Sequence, residues 1–202
     1  MVTIQHAEQY NFPLKHFVDL RGCQLRHLGV SMCSLETVSA KLSGFSYLDF
    51  LSLHRVSVVD SVVLNIMSNC CAVCRFGLQR CRHLINMRFY HAKLVELAVH
   101  GCKGLISISI HAERLVYFSY KGHKVDIEYE CAPVLCKLCA FFVKNNKCPL
   151  DFLGALPNLT ALTLQFPTCL QVCKNCHMGA LPFCCATFRY LVYCKTVKDL
   201  VV

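Results

Sequence analysis

The residues with the most chemistry to offer are 17 cysteines and ten histidines spread through 202 positions. Three Cys-x-x-Cys pairs occur, Cys71/Cys74, Cys136/Cys139 and Cys173/Cys176. Thiolates at this spacing clasp zinc when further Cys or His ligands complete a tetrahedron. The best-supplied region is the carboxyl end, where Cys169, Cys173, Cys176, His177, Cys184 and Cys185 gather soft ligands. Cys173, Cys176, His177 and Cys184 are the candidate tetrad there, although their second half lacks a clean paired spacing. Cys173-x-x-Cys176-His177 also matches the string for covalent haem attachment, a reaction that needs export and a haem-sized pocket. Neither is indicated, and no cofactor is expected. No GxSxG, HExxH, GxxxxGK[ST] or GxGxxG occurs, and Gly101-Cys102-Lys103-Gly104 is too short for a phosphate loop. The expectation is a protein that is not an enzyme.

The elements that position these residues follow from an apolar frame, LxxLxL, which recurs seven times. The copies are Leu25/Leu28/Val30, Leu48/Leu51/Leu53, Val73/Phe76/Leu78 and Leu94/Leu97/Val99, followed by Leu115/Phe118/Tyr120, Leu135/Leu138/Ala140 and Leu159/Leu162/Leu164. Their step of roughly 20 to 25 residues is the period of leucine-rich repeats. In a chain that is 55% hydrophobic one match means little, but seven separated by polar or turn-prone residues make a pattern. In this frame Cys136 and Cys139 sit at offsets +1 and +4 around inward Leu138, on a strand and its approach. Cys71 and Cys74 flank the start of the third copy similarly. Cys33, Cys81 and Cys102 fall at offset +8, where Val56 and Val143 stand in other copies, so they read as small core hydrophobes.

A single repeat cannot fold alone. Three buried ladder residues supply about 1.5–3 kcal/mol each, while ordering twenty-odd residues costs about 1–2 kcal/mol per residue. Each unit must therefore stack on its neighbours, and the chain reads as an α/β leucine-rich-repeat solenoid: a short, curved stack of about seven repeats. Strands are expected on the concave face, with short helices and turns on the convex face. The clearest helix is Asp60 to Asn69, where Val62, Val63, Ile66 and Met67 fall at helical spacing behind an acidic residue. Linkers such as Lys103 to Arg114 hold no convincing helix and are expected to run extended or turn-like. Residues 1–24 read as an amino-terminal segment or partial repeat and 25–167 as the solenoid. The Cys-rich stretch 168–202 reads as a divergent tail, last repeat or cap, fitting the frame loosely at Phe188/Leu191/Tyr193. With no cap apparent, the first ladder strand is expected to expose an edge.

Outward strand positions form three columns. Offset +4 holds only small residues: Gly29, Ser52, Gly77, Ala98, Ser119, Cys139 and Thr163. Offset +2 holds His27, Phe50, Arg75, Glu96, Tyr117, Lys137 and Ala161. Offset +6 holds Ser31, His54, Gln79, His100, Lys121, Phe141 and Gln165. A shallow groove flanked by larger groups suits a peptide or protein surface. The expected partner-binding residues are His27, Phe50, His54, Arg75, Gln79, Glu96, His100, Tyr117 and Lys121.

Mean hydropathy is +0.43, yet the most apolar stretch, Cys131 to Val143, is broken by Lys137 and far shorter than the ~18 to 20 residues of a spanning helix. No membrane segment and no basic-then-apolar leader is read. The odd number of cysteines is thus expected to stay reduced, in the cytoplasm and/or nucleus. Net charge is +9, scattered without a block or a nucleic-acid motif.

Part of the ladder carries a more particular idiom. Leu48-Asp49-Phe50-Leu51-Ser52-Leu53 leads through Asp60-Ser61-Val62-Val63 to Asn69-Cys70-Cys71, then Leu78-Gln79-Arg80-Cys81-Arg82-His83-Leu84. Leu94 to Cys102 repeats the pattern, and Leu115-Val116-Tyr117-Phe118-Ser119-Tyr120-Lys121-Gly122 varies it. From roughly Leu14 to Gln171 the chain resembles the leucine-rich-repeat region of plant F-box proteins. The resemblance implies repeats that hold a protein target for an SCF-type ubiquitin ligase and carry no catalytic residue. In that family an amino-terminal F-box docks on a Skp-type adaptor. No Leu-Pro-acidic start with a helical Leu/Ile run precedes the first repeat here, so direct adaptor docking is not expected. The alternative function is a stand-alone scaffold, or truncated remnant, without a ubiquitin link.

Overall fold

The computed structural model describes residues 2–5, 10–18, 23–36, 42–143, 156, 158–166 and 188–193. In chain order the first strands are β1 (Val2–Gln5), β2 (Asn11–Phe12), β3 (His27–Ser31), β4 (Ser34–Leu35) and β5 (Phe50–His54). The helix α1 (Asp60–Asn69) follows, then β6 (Arg75–Gln79), β7 (Asn86–Tyr90), β8 (Glu96–His100), β9 (Ser107–His111) and β10 (Tyr117–Gly122). β11 (Asp126–Cys131), β12 (Lys137–Phe142), β13 (Ala161–Phe166) and β14 (Phe188–Tyr193) complete the described strands. Short 3-10 turns occupy Leu14–Phe17 and Ser43–Phe45.

The seven ladder copies are seven strands of one sheet, ordered β1-β3-β5-β6-β8-β10-β12-β13-β14. Every neighbouring pair is parallel except β13 with β14. Apolar residues at offsets +3 and +5 share one face of a strand because successive side chains alternate. Their burial bears this out: from Leu28 to Leu162 every ladder residue with a described side chain is within 2% of full burial. Leu25 is half-buried, and the side chain of Leu164 lies outside the description.

Two backbone devices keep the copies in register. Before each of six consecutive ladders a tight turn closes, with Leu48, Val73, Leu94, Leu115, Leu135 and Leu159 donating N–H to the carbonyl three residues back. After the first four strands the offset +7 residue turns left-handed: Met32 (φ 55°), Arg55 (φ 53°), Arg80 (φ 55°) and Gly101 (φ 68°). A non-glycine residue there costs on the order of 1–2 kcal/mol. Each of the four amides is engaged by the carbonyl at offset +6 of the next strand, which offsets that cost. The left-handed turn swings offset +8 inward, so Cys33, Val56, Cys81 and Cys102 are buried. Val143 departs from the expectation and is 46% exposed. Strands β10 and β12 run one residue further, so Phe142 fills the core in its place, 3% exposed, 5.8 Å from the ring of Tyr120.

The helix forms where its apolar spacing placed it, burying Val62, Val63, Ile66 and Met67. Beyond α1 the second side of the solenoid is built from strands. β7, β9 and β11 pair in parallel as a three-stranded sheet, ordered β11-β9-β7. Their inward residues Met87, Phe89, Ile108 and Ile110 are buried, and Phe76 meets Phe89 at 5.9 Å while Phe118 meets Tyr129 edge-on at 6.2 Å. Lys103 to Arg114, expected to be extended, contains β9. The expectation of an exposed first edge fails, because Val2–Gln5 pairs in register with Leu28–Ser31. At the other end β14 runs antiparallel, against the direction of the ladder strands.

Candidate functional site

The long sheet carries the three outward columns in hydrogen-bonded register. His27 pairs with Phe50, Phe50 with Arg75, Arg75 with Glu96, Glu96 with Tyr117, Tyr117 with Lys137 and Lys137 with Ala161. The offset +6 residues pair likewise from Ser31 through His54, Gln79, His100, Lys121 and Phe141 to Gln165. At about 4.8 Å per strand, six intervals make a face roughly 29 Å long. Between the columns lies the offset +4 line, whose Gly77 and Ser119 are buried. Four residues along a strand separate the flanking columns by roughly 13 Å.

At one end of the +2 column the side chains form a cluster. The Asp49 carboxylate lies 3.8 Å from His27 Nε2 and 3.7 Å from the Arg75 guanidinium. Arg75 stands 5.3 Å over the Phe50 ring and His27 meets the same ring edge-on at 6.1 Å. Cys74 Sγ donates to Asp49 Oδ1 at 2.6 Å. Burial, then the Asp49 carboxylate, pushes the Cys74 thiol up. Exposed ion pairs of this kind contribute little stability, and here they sit beside the stacking of Arg75 over Phe50. Asp49 sits at offset +1 and was not among the expected site residues. Its signal in the sequence is a lone acid beside aromatic and basic positions of adjacent copies.

On the +6 side His100 Nε2 lies 2.8 Å from Ser119 Oγ. Burial, then Lys121, lowers the His100 pKa. His54 is lowered by burial and by Arg55 and Arg80. Gln79, Glu96 and Lys121 are exposed, and Tyr117 is half-buried. The structure thus joins His27, Phe50 and Arg75 into one contact group, pairs His100 with Ser119, and leaves the two columns separated by the groove.

The other sheet was not anticipated as a surface. Outward Arg88, Ser109 and Glu128 align across it, as do Asn86, Ser107 and Asp126. All of these except Asn86, together with Ile108 and Glu130, line a depression of about 240 Å³. Strict alternation in Asn86–Tyr90 and Ser107–His111 was the available signal.

The ten described cysteines are free thiols. Burial pushes Cys33 up to about 11 and Cys70 up to about 12. Among the described residues neither Cys71/Cys74 nor Cys136/Cys139 gathers a third metal-ligand group. The tail set Cys173, Cys176, His177 and Cys184 lies outside the described residues.

A family model described as At1g61320/AtMIF1, LRR domain, matches residues 1–194. No curated protein and no solved structure matches the chain. Among the described residues no helix is long and apolar enough to cross a membrane.

Proposed function

Because the chain belongs to the At1g61320/AtMIF1 leucine-rich-repeat domain family, we propose that it is a protein-recognition module whose concave face is the outward side of the long sheet. The observation that carries this reading is the unbroken register of the +2, +4 and +6 columns across seven strands. Large groups stand on both flanks of a floor of small ones from β5 to β12, four strand intervals or roughly 19 Å, a shape that admits an extended peptide or a protein edge. The anchors are His27, Phe50, Arg75, Glu96 and Tyr117 on one flank, and His54, Gln79, His100 and Lys121 on the other. Aromatic and arginine side chains dominate the energetics of protein interfaces, and Arg75 is already held over Phe50.

The motifs shared with plant F-box repeats support a finer reading. In it, residues 25–167 select a target for an SCF-type ubiquitin ligase in the cytoplasm or nucleus. A stand-alone scaffold has the same face and differs in what it is joined to. Direct binding to a Skp-type adaptor is not expected of these repeats.

The test is affinity capture with the intact chain and with Phe50→Ala/Tyr117→Ala, both compared with Arg88→Ala on the opposite sheet. A specific partner should be captured by the parent chain and by Arg88→Ala, and fall at least tenfold with the double variant. Equal capture by the double variant would place recognition elsewhere.

A further inference from the structure

The three-stranded sheet carries an irregularity with a chemical result. The parallel pairing of β11 with β9 runs from Asp126↔Ser107 to Tyr129↔Ile110, then slips so that Cys131, not Glu130, stands opposite His111. Without the slip Cys131 would stand opposite Ala112, which is fully buried. The bulge therefore turns the thiol out beside the imidazole, one of the ways bulges re-aim side chains. Ala112 N–H donates to the Cys131 carbonyl at 2.7 Å and holds that arrangement. Glu113, exposed in the following turn, completes the group. One ligand atom from each of His111, Glu113 and Cys131 lies within 4.8 Å of the other two. Displaced Glu130 is not idle. Its Oε2 lies 3.8 Å from His111 Nδ1, and the single Tyr90 hydroxyl proton is shared between its two oxygens, the hydroxyl oxygen standing 2.7 and 2.6 Å from them. Ser109 donates to it as well, and the Tyr90 ring stacks on His111 at 5.4 Å.

We propose that His111, Glu113 and Cys131 form a binding site for a divalent ion of the zinc class, with the fourth position open to water. An imidazole nitrogen, a thiolate sulfur and a carboxylate oxygen are a borderline-soft set that suits zinc and cobalt over magnesium or calcium. Tetrahedral bonds of 2.0–2.3 Å place donor atoms roughly 3.5 Å apart. Atoms within 4.8 Å of one another must therefore draw in by no more than about 1.3 Å to share one ion. Binding takes the ion as the thiolate complex, and the Cys131 proton leaves to solvent. Glu130 orients the imidazole, the outer carboxylate role that tunes such sites.

Cobalt(II) is the probe, because a bound thiolate gives a sulfur-to-metal charge-transfer band and a tetrahedral site gives intense visible bands. The full chain is titrated alongside Cys173→Ser/Cys176→Ser, which removes the Cys-x-x-Cys pair of the tail. Both should bind one equivalent with a thiolate band that zinc abolishes. In the Cys173→Ser/Cys176→Ser background, Cys131→Ser should lose the band, and Glu113→Gln and Glu130→Gln should each weaken binding at least about tenfold. Glu113 is exposed, so its variant tests ligation with folding intact, as circular dichroism would verify. The proposal is overturned if the background protein binds no cobalt, binds it without a thiolate band, or binds it unchanged after Cys131→Ser or Glu113→Gln.

Discussion

Asp60→Ala should destabilise the protein by about 3 kcal/mol. Its two carboxylate oxygens accept separate hydrogen bonds, from Ile85 N–H to Oδ1 and from Asn86 N–H to Oδ2, each at 2.9 Å. These are the amide just before β7 and the first amide within it, so the pair ties the helix of one repeat to the second strand of the next. Charge-assisted hydrogen bonds contribute about 1.5–3 kcal/mol each. Both are exposed and water takes over the freed amides, so roughly the lower figure applies to each. The carboxylate also sits in the first turn of α1, where it interacts with the helix dipole for about 0.3–1 kcal/mol. Alanine returns about 0.5 kcal/mol as the better helix former. In a chain of this length the net loss lowers Tm by roughly 5–10 °C. Asp60→Asn should cost nearly as much, because its single carbonyl oxygen serves one amide and its NH₂ confronts the other. Urea denaturation gives the free energy, and amide exchange at Ile85 and Asn86 reports the local release. A loss under about 0.5 kcal/mol, or unchanged exchange at those two amides, would refute the assignment of Asp60 as the tie between repeats.

Gly104→Ala and Gly77→Ala form a matched pair read by thermal melting. A Cβ on Gly104 would stand 2.6 Å from the Arg82 carbonyl oxygen and 3.0 Å from that of Leu84, both backbone, whereas on Gly77 it meets the Ser52 side chain at ordinary contact distances, 3.5 Å to Oγ and 3.9 Å to Cβ. The first should cost at least about 2 kcal/mol, within the overpacking range, and the second should be near neutral. For pH dependence, the folded pKa of His100 lies below its unfolded value of about 6.5. Its contribution to stability is present above that value and is lost as pH falls through the folded pKa. His100→Gln should therefore flatten the decline in stability between pH 7.5 and 5 relative to the parent chain, and an unchanged slope would contradict a half-buried imidazole held neutral.

Much of the architecture was legible because an alternating pattern under a fixed repeat leaves one face to bury. Offsets +3 and +5 became core, offsets +2 and +6 became paired columns, and Asp60 to Asn69 became the helix its spacing required. Legibility failed where a residue's fate depends on a neighbouring copy. Val143 occupies the offset that buries Cys33, Cys81 and Cys102. Whether offset +8 turns inward depends on a left-handed turn at +7, and β12 continues straight through that position. Asp49 was overlooked because its role arises from His27 and Arg75, one repeat away on either side.

By itself the amino-acid sequence determined the repeat, its period and which face of each ladder strand meets solvent. These are local quantities, set by side-chain alternation and the cost of exposing apolar groups. Only the tertiary structure decided that the opposite side pairs as a second sheet, that Val2–Gln5 covers the first ladder strand, and that a one-residue slip brings Cys131 beside His111. Each is a hydrogen-bond pairing between segments about one repeat apart. Such pairings are chosen by which strands lie adjacent, and adjacency exists only once the repeats have stacked.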